Sequence, residues 1–371
     1  MTERWEHMVR TLRVLDAPTE RMWQHVERGP SPSQPSSGRH RVLTTIVALG
    51  LFAGSAVIVW EAFRPVRVSQ TATTFSDGKI AFELWRPTQT DTRHLVYVLD
   101  PDGGSPTNVT PDNAEYSSPT WSPDGRWLAA VRLDPGLRVS VVILRPDGSG
   151  LRELLLIGAD ARRTVQQISW SPDGTRIGMV YVDPAGRRAD EWVQRLYVMN
   201  ADGTNLRPLT DESLRVTSFS WSPDSSRLVF SAGARGDGRA PSRIFVVEAT
   251  GGSPTLLAGV TGSDPAWSPD GTKMAFAGHA PGTEESDIFS MNADGTQPVR
   301  LTTDPHAEFW PVWSPDGTQI LFQRQEPGSG HGPSCSLVLM DASGREERVL
   351  LEGADLDGCP SRPSWQAIYR G

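Results

Sequence analysis

The pentapeptide Trp-Ser-Pro-Asp-Gly recurs along the chain at nearly even spacing. Its tryptophans are separated by 49, 51, 46 and 46 residues. A self-similar unit of this length indicates a repeat architecture, in which each unit buries its apolar face against its neighbours. We interpret the recurring tryptophan as packing between units, since buried aromatic side chains dominate core energetics. The copies begin at Trp121, Trp170, Trp221, Trp267 and Trp313, with Ser225 in the glycine position of the third.

The repeat that follows Pro265 contains four short candidate strands joined by tight turns. Residues 268–271 predict the first turn, because Pro favours its second position, Asp accepts hydrogen bonds from nearby amides and Gly accommodates positive φ. Residues 273–276 and 287–291 predict the second and third strands, and residues 298–302 predict the fourth. Four short strands per unit are typical of a β-propeller blade.

The turn between the third and fourth strands gives the number of blades. It occurs six times, and the sequence therefore predicts an all-β, six-bladed propeller. The first blade lacks an inner strand before residues 75–82, whereas Pro363-Ser364-Trp365 supplies one at the end of the chain. We expect residues 365–369 to pair beside residues 79–83 and close the ring, which leaves no open sheet edge. The six turns are residues 100–103, 145–148, 200–203, 248–251, 292–295 and 341–344.

The repeat resembles that of TolB-type propellers, which are relatives of WD-repeat proteins. The resemblance rests on the Pro-x-Trp-Ser-Pro-Asp-Gly segments and is clearest in Leu-Tyr-Val-Met-Asn-Ala-Asp-Gly-Thr at residues 196–204. It covers residues 71–371 and implies a propeller domain over that range. The same repeat occurs in periplasmic binding subunits and in accessory domains of peptidases, so the resemblance specifies the fold more narrowly than the function.

Residues 42–60 form an uncharged apolar run that is long enough to cross a bilayer as a helix. Arg39 and Arg41 precede this run and Trp60 ends it, a pattern typical of a span with a cytoplasmic N-terminus. We therefore expect a single-pass cell-membrane protein with an extracytoplasmic propeller and a juxtamembrane linker at residues 61–70. The alternative is a signal peptide cleaved near residues 54–56, against which the preceding segment is unusually long.

Residues 1–28 predict a short cytoplasmic helical segment, because Trp5, Met8, Val9, Leu12 and Leu15 share one helical stripe. The segment can bind a cytosolic partner, lie on the membrane or stay unfolded. Residues 29–41, rich in Pro, Ser and Gly, predict a flexible tether.

Charge and motifs exclude several classes of function. The first 41 residues carry a net charge of +2, which leaves −10 for the rest of the chain and argues against a nucleic-acid partner. The sequence has no Gly-x-Ser-x-Gly nucleophile motif, no phosphate-binding loop and no metal-ligand spacing among its seven His residues. We therefore expect no catalytic residues, no metal and no cofactor.

The residue three positions before each inner-strand Trp is polar in five of the six blades and differs between blades. Strand alternation predicts that it faces away from the Trp. A variable ring of this kind at the channel mouth is where a binding propeller holds its specificity. The alternative is a solvated funnel without a ligand. The ring consists of Ser118, Gln167, Ser218, Asp264, Trp310 and Arg362.

Cys335 and Cys359 are the only cysteines in the chain. Both fall in loops that leave the same face of the sixth blade and its closing strand, in a compartment expected to be oxidising. The sequence therefore predicts a disulfide between them.

These features favour a non-enzymatic, membrane-anchored propeller that binds or scaffolds a protein or peptide partner. A second hypothesis is transmembrane signalling of the anti-sigma type, in which the propeller is the sensor and residues 1–28 bind a cytosolic regulator. A third is a propeller lactonase, which would need several carboxylates around the channel, whereas the ring supplies only Asp264.

Overall fold

Six four-stranded antiparallel sheets make up the part of the chain described by the computed structural model. That part comprises residues 74–87, 92–111, 113–158, 164–184, 192–234, 242–326, 334–356 and 358–370. The segments expected at residues 1–28, 29–41, 42–60 and 61–70 lie outside it. The described residues include no helix that is both long enough and apolar enough to cross a membrane.

Each sheet is one blade, and the blades follow one another along the chain. Blade one contains β1 (Thr74–Pro87), β2 (Thr92–Leu99) and β3 (Thr107–Asn108), and blade two contains β4 (Glu115–Trp121), β5 (Leu128–Leu133), β6 (Val139–Leu144) and β7 (Arg152–Gly158). Blade three contains β8 (Thr164–Trp170), β9 (Arg176–Pro184), β10 (Trp192–Asn200) and β11 (Arg207–Pro208), and blade four contains β12 (Leu214–Trp221), β13 (Arg227–Ala234), β14 (Arg243–Glu248) and β15 (Thr255–Thr261). Blade five contains β16 (Ser263–Trp267), β17 (Lys273–His279), β18 (Ser286–Asn292) and β19 (Val299–Arg300), and blade six contains β20 (Ala307–Trp313), β21 (Gln319–Glu326), β22 (Ser334–Asp341) and β23 (Arg348–Glu352). A 3-10 turn (Gly353–Leu356) and the last strand, β24 (Cys359–Arg370), follow.

The ring closes through the C-terminal strand. The order of strands in blade one is β24-β1-β2-β3, with Ile80 opposite Trp365 and Glu83 opposite Ser361. At the outer end of the same pairing, Thr74 lies opposite Arg370. The predicted blade count and the closing role of the C-terminal strand are confirmed. The predicted register is wrong, because residues 365–369 pair with residues 75–80, and residues 80–85 pair with the earlier part of β24, residues 359–365.

In blades two to six the turn after the inner strand is held by its own side chains. In blade two, the Ser122 carbonyl accepts a hydrogen bond from the Gly125 amide at 2.8 Å. The Ser122 hydroxyl donates to Asp124 Oδ1 at 2.6 Å and accepts from the Trp127 amide at 3.0 Å. Gly125 has a φ of 67°, and Ser225, in the same position of blade four, has a φ of 59°. The left-handed conformation therefore belongs to the repeat, and serine adopts it against its intrinsic preference.

The fourth strand of blade five is shorter than predicted. It covers Val299–Arg300 and not residues 298–302. The Thr302 hydroxyl accepts a hydrogen bond from the Ile288 amide at 2.9 Å, so a side chain replaces the next backbone pair. Thr110 and Thr210 accept in the same way from the Val96 and Leu196 amides, both at 3.1 Å, in the other two blades with two-residue outer strands.

The repeated tryptophans pack against the preceding blade, as expected. Trp221 in blade four donates from Nε1 to the Ser169 carbonyl of blade three at 3.1 Å. The Arg176 guanidinium of blade three lies 5.1 Å from the centre of the Trp221 ring. This contact combines apolar burial with a cation–π interaction, and so joins two sheets that share no backbone hydrogen bonds.

The predicted disulfide between Cys335 and Cys359 is present. It joins β22 in blade six to the first residue of β24, with 4.9 Å between the two Cα atoms. Gln323 Nε2 donates to the Pro360 carbonyl at 3.0 Å beside it. The closing strand is therefore bound covalently to blade six at one end and paired with blade one along its length.

Candidate ligand-binding channel

The six inner strands surround a central channel with a cavity of about 410 Å³. In blades two to six the inner strand runs from its ring residue to its Ser-Pro turn, so the ring marks one end of the channel and the turns mark the other. All six predicted ring residues line this cavity: Ser118, Gln167, Ser218, Asp264, Trp310 and Arg362.

A β-bulge positions each ring residue. In blades one, two, five and six the ring residue precedes a proline and adopts a left-handed φ of 48–53°. One residue of the neighbouring strand faces two bulge residues there, as Ala130 faces Ser118 and Pro119. In blades three and four the bulge lies one residue earlier, before Gln167 and Ser218. The tryptophans also line the channel, so the expectation from simple alternation that ring residue and Trp face opposite ways is wrong where the bulge shifts the alternation.

Three ring residues form hydrogen bonds between neighbouring blades. The Ser118 hydroxyl accepts from the Ile168 amide at 3.2 Å, and the Ser218 hydroxyl accepts from the Asp264 amide at 2.9 Å. Gln167 makes two such bonds, accepting from the Phe219 amide at 2.9 Å and donating to the Phe219 carbonyl at 3.0 Å. In these three blades the ring side chain satisfies the backbone of the next blade, which is a structural role.

The other three ring residues belong to blades five, six and one, which follow one another around the channel mouth. The Arg362 guanidinium lies 5.4 Å from the centre of the Trp310 ring, and Arg362 Nη1 donates to the Gln166 carbonyl of blade three. Burial raises the pKa of the Asp264 carboxyl, and hydrogen bonds from Ser263 and Ser218 with the charge of Arg362 offset part of that rise. This half of the ring combines a cation, an aromatic face and a carboxyl group.

A second cavity of about 420 Å³ adjoins the mouth between blades six and one, and Trp310 and Arg362 line both cavities. Glu83 lies in its wall, accepting from the Ser118 amide at 3.0 Å and contacting His94 Nδ1 at 2.5 Å. The pKa of the Glu83 carboxyl is lowered overall. Burial acts to raise this pKa, but its effect is smaller than the combined effect of the hydrogen bond with His94, the charge of Arg362 and the hydrogen bond from the Ser118 amide. The hydrogen bond with Glu83 raises the pKa of His94 against the opposing effect of burial.

Glu83 and His94 were not among the predicted site residues. The signal for Glu83 was present, because it is a carboxylate inside the otherwise apolar run Ile80-Ala81-Phe82-Glu83-Leu84. A charge in a buried strand needs a partner. His94 carries no comparable signal, since only the pairing of β1 with β2 brings it near Glu83.

The described residues contain no group of three or more His, Cys, Asp or Glu side chains placed to hold a metal ion. The side chains at the channel mouth are suited to binding a ligand. Arg362 can donate to a carbonyl or a carboxylate, Trp310 can contact an apolar group, and Asp264 can accept or donate according to its protonation.

The fold places the protein among the six-bladed β-propellers. Residues 67–367 match the family model of the TolB beta propeller domain, and the chain belongs to that family. The domain is a TolB-type propeller.

Solved structures agree on the fold. TolB from Acinetobacter baumannii is similar with a TM-score of 0.62 and 20% identity, over 80% of this chain and 68% of that one. A putative TolB from Agrobacterium tumefaciens has a TM-score of 0.52 and 18% identity, over 80% and 100%. A puromycin-hydrolyzing peptidase of Mycobacterium tuberculosis has a TM-score of 0.51 and 18% identity, over 73% and 44%. No curated protein matches the chain.

Proposed function

We propose that the protein is a membrane-anchored, non-enzymatic binding module whose propeller holds a protein or peptide partner at the channel mouth. One observation carries the proposal. Three ring residues of blades five, six and one, Asp264, Trp310 and Arg362, bring a carboxyl group, an aromatic face and a cation together at the cavity. Arg362 and Asp264 also bond to other blades, and the combination of the three groups at the mouth is what a protein or peptide ligand would contact.

Arg362 is the central residue of the proposed site. Its guanidinium donates to a neutral backbone carbonyl, that of Gln166. A carboxylate from a partner would make a shorter and stronger charge-assisted bond in the same place. Trp310 beneath the guanidinium fixes its orientation, and Trp and Arg are the residues that contribute most at protein interfaces.

The test is in-cell crosslinking of the full chain followed by affinity capture and mass spectrometry. We expect a partner crosslinked to the native protein to be lost in the double variant Trp310→Leu/Arg362→Gln. The matched control is Arg345→Gln, which changes an exposed arginine in a turn at the other end of blade six. Equal recovery with both variants, at unchanged thermal stability, would contradict the proposal.

The proposed anchor is the apolar run at residues 42–60, with residues 1–28 in the cytoplasm, where a cytosolic partner can reach them. A reporter fused after Gly371 tests this topology. A reporter that works only outside the cytoplasm should be active and a cytoplasmic reporter inactive. The opposite pattern would overturn the proposed orientation.

A further inference from the structure

Blade two departs from the repeat at two facing positions. The first is the residue immediately before the buried part of the second strand. It is a cation in blades one, three, four and five and glutamine in blade six, whereas blade two has Trp127. The second is the residue opposite it, which ends the third strand or directly follows it and is Asp, Asn or Glu in five blades, whereas blade two has Arg145. The facing pairs are Lys79 with Asp100, Arg176 with Asn200, Arg227 with Glu248, Lys273 with Asn292 and Gln319 with Asp341.

The residue replaced by Trp127 has a structural role in the neighbouring blades. Arg176 stacks on Trp221 of the next blade and donates to the Ser225 carbonyl at 2.7 Å, and Arg227 lies 5.4 Å from the ring of Trp267. Trp127 carries no charge to make such a contact with blade three. Accordingly Trp170 is only half-buried, whereas the other five repeated tryptophans are 5–8% exposed. Trp127 is partly buried against the core shared by blades two and three, which accounts for one side of its ring but not for the exposed part.

Two arginines of blade two lie against Trp127. The Arg145 and Arg152 guanidinium carbons are 5.6 Å and 5.4 Å from the centre of its ring. Both arginines are exposed, and neither forms a salt bridge with any described residue. Leu151, between them in the chain, is 38% exposed. We call Trp127, Arg145, Leu151 and Arg152 the blade-two patch.

We propose that the blade-two patch is a docking site for an acidic segment of a partner protein. Carboxylates of the segment bind the two guanidinium groups, and an apolar side chain rests on Leu151 and the exposed part of Trp127. Stacking on Trp127 orders both arginines before binding, which lowers the entropy cost of forming charge-assisted bonds. The rest of the acidic domain repels such a segment, so charge directs it to this patch.

The patch is separate from the channel mouth. Trp127 follows the inner turn of blade two, and Arg145 and Leu151 flank the turn between its third and fourth strands. Both turns lie at the end of the blade opposite the ring residue Ser118. The propeller can therefore hold one partner at the mouth and a second on this patch.

Binding is measured with the full-length protein and a fluorescein-labelled peptide of alternating Glu and Leu, by fluorescence anisotropy at low salt. We expect Arg145→Glu/Arg152→Glu to weaken binding by about tenfold or more. The control Arg215→Glu/Arg345→Glu makes the same change in net charge elsewhere and should stay within about twofold of the native protein. Arg362→Gln should also leave affinity unchanged, which separates this site from the channel mouth.

Trp127→Gln is the second variant, because it places the residue type of blade six at this position without adding a charge. We expect it to weaken peptide binding while the protein keeps its cooperative thermal transition. Unchanged peptide affinity in this variant and in the Arg145→Glu/Arg152→Glu variant would overturn the proposal. Patch-dependent binding to phosphatidylglycerol vesicles without binding to the peptide would also overturn it, in favour of a membrane surface.

Discussion

Blade one and blade four have the same four-stranded sheet but are assembled differently. In blade four the inner strand β12 passes directly into β13 through the turn at residues 222–225. In blade one the inner strand β24 comes from the other end of the chain, so no turn connects it to β1. The comparison shows which interactions of the repeat depend on chain continuity and which do not.

Side chains of β24 replace the missing turn. In blade four the Ser222 hydroxyl accepts from the Arg227 amide at 2.9 Å. In blade one Gln366 occupies the position of that serine, and its Oε1 accepts from the Lys79 amide at 2.9 Å. Gln366 Nε2 also donates to the Gly125 carbonyl of blade two at 2.9 Å. A longer side chain thus preserves the hydrogen bond between strands that are 287 residues apart.

The largest expected effect comes from deleting residues 362–371. The deletion removes the inner strand of blade one, exposes the edge of β1 and leaves Glu83 without the charge of Arg362. We expect the cooperative thermal transition, followed by circular dichroism, to be lost. Deletion of residues 1–28, which lie outside the propeller, is the control and should leave it in place. A truncated domain that melts like the full one would show that closure is unimportant.

Cys335→Ser/Cys359→Ser should lower the free energy of unfolding by roughly 3 kcal/mol, because the disulfide closes a loop with a sequence separation of 24 residues. Denaturant unfolding measures the change. A reductant should lower the native protein to the level of the variant and leave the variant unaffected. Mass spectrometry of the non-reduced protein should find the Cys335–Cys359 peptide, and free thiols at both positions would contradict the structure.

Gln366→Ala should cost about 1–2 kcal/mol, because it removes two hydrogen bonds of the partly buried seam. Ser222→Ala is the matched variant in blade four and should cost a similar amount, since it removes the equivalent bond to the Arg227 amide and the bond to Asp224. The free energies of unfolding of the two variants and the native protein test this comparison. If only Ser222→Ala destabilises the protein, Gln366 does not substitute for the turn.

The smallest expected effect is a pH dependence confined to blade one. Glu83 has a lowered pKa, so its contribution is present above its ordinary pKa of 4.5 and is lost as the pH falls through the folded value. His94 has a raised pKa, so its contribution is present below its ordinary pKa of 6.5 and is lost as the pH rises through the folded value. The stability difference between the native protein and His94→Gln should therefore be greatest between these two values.

His279→Gln, in blade five, serves as the control for this measurement. His279 is exposed and bonds to the Glu285 carbonyl, not to a carboxylate. Its difference from the native protein should not peak in the same pH range. A flat difference for His94→Gln across that range would show that the pair with Glu83 does not contribute to folding.

The sequence was sufficient for the blade count and the closing strand, because the turn before the fourth strand and the spacing of the inner-strand Trp recur in all six blades, and for the disulfide, because the chain has only two cysteines. It was not sufficient for the length of the outer strands. That length depends on whether a side chain such as Thr302 takes over a backbone partner, as it does at Ile288. The strand propensity of a segment does not show whether a side chain will compete with the backbone for a hydrogen-bond partner in this way.

The six ring positions could also be located in advance, but their division into two sets could not. Ser118, Gln167 and Ser218 bond to the next blade only because the bulges aim them at its backbone amides. Asp264 also accepts a hydrogen bond from the backbone of the next blade, at Trp310, and differs from them in lying near the charge of Arg362. The difference follows from the geometry between sheets, which no single repeat encodes.

The pairing of Thr74 with Arg370 has a mechanical consequence. The chain enters the propeller at residue 74 and leaves it at residue 370, which are paired. A force pulling on residue 74 is therefore carried first by the hydrogen-bonded pairs of β1 and β24. The far end of β24 is bound to blade six through Cys359, and the same force passes from there into β22. Under tension the two ends of the chain therefore share one joint, and the disulfide limits how far that joint can extend before a neighbouring blade must yield.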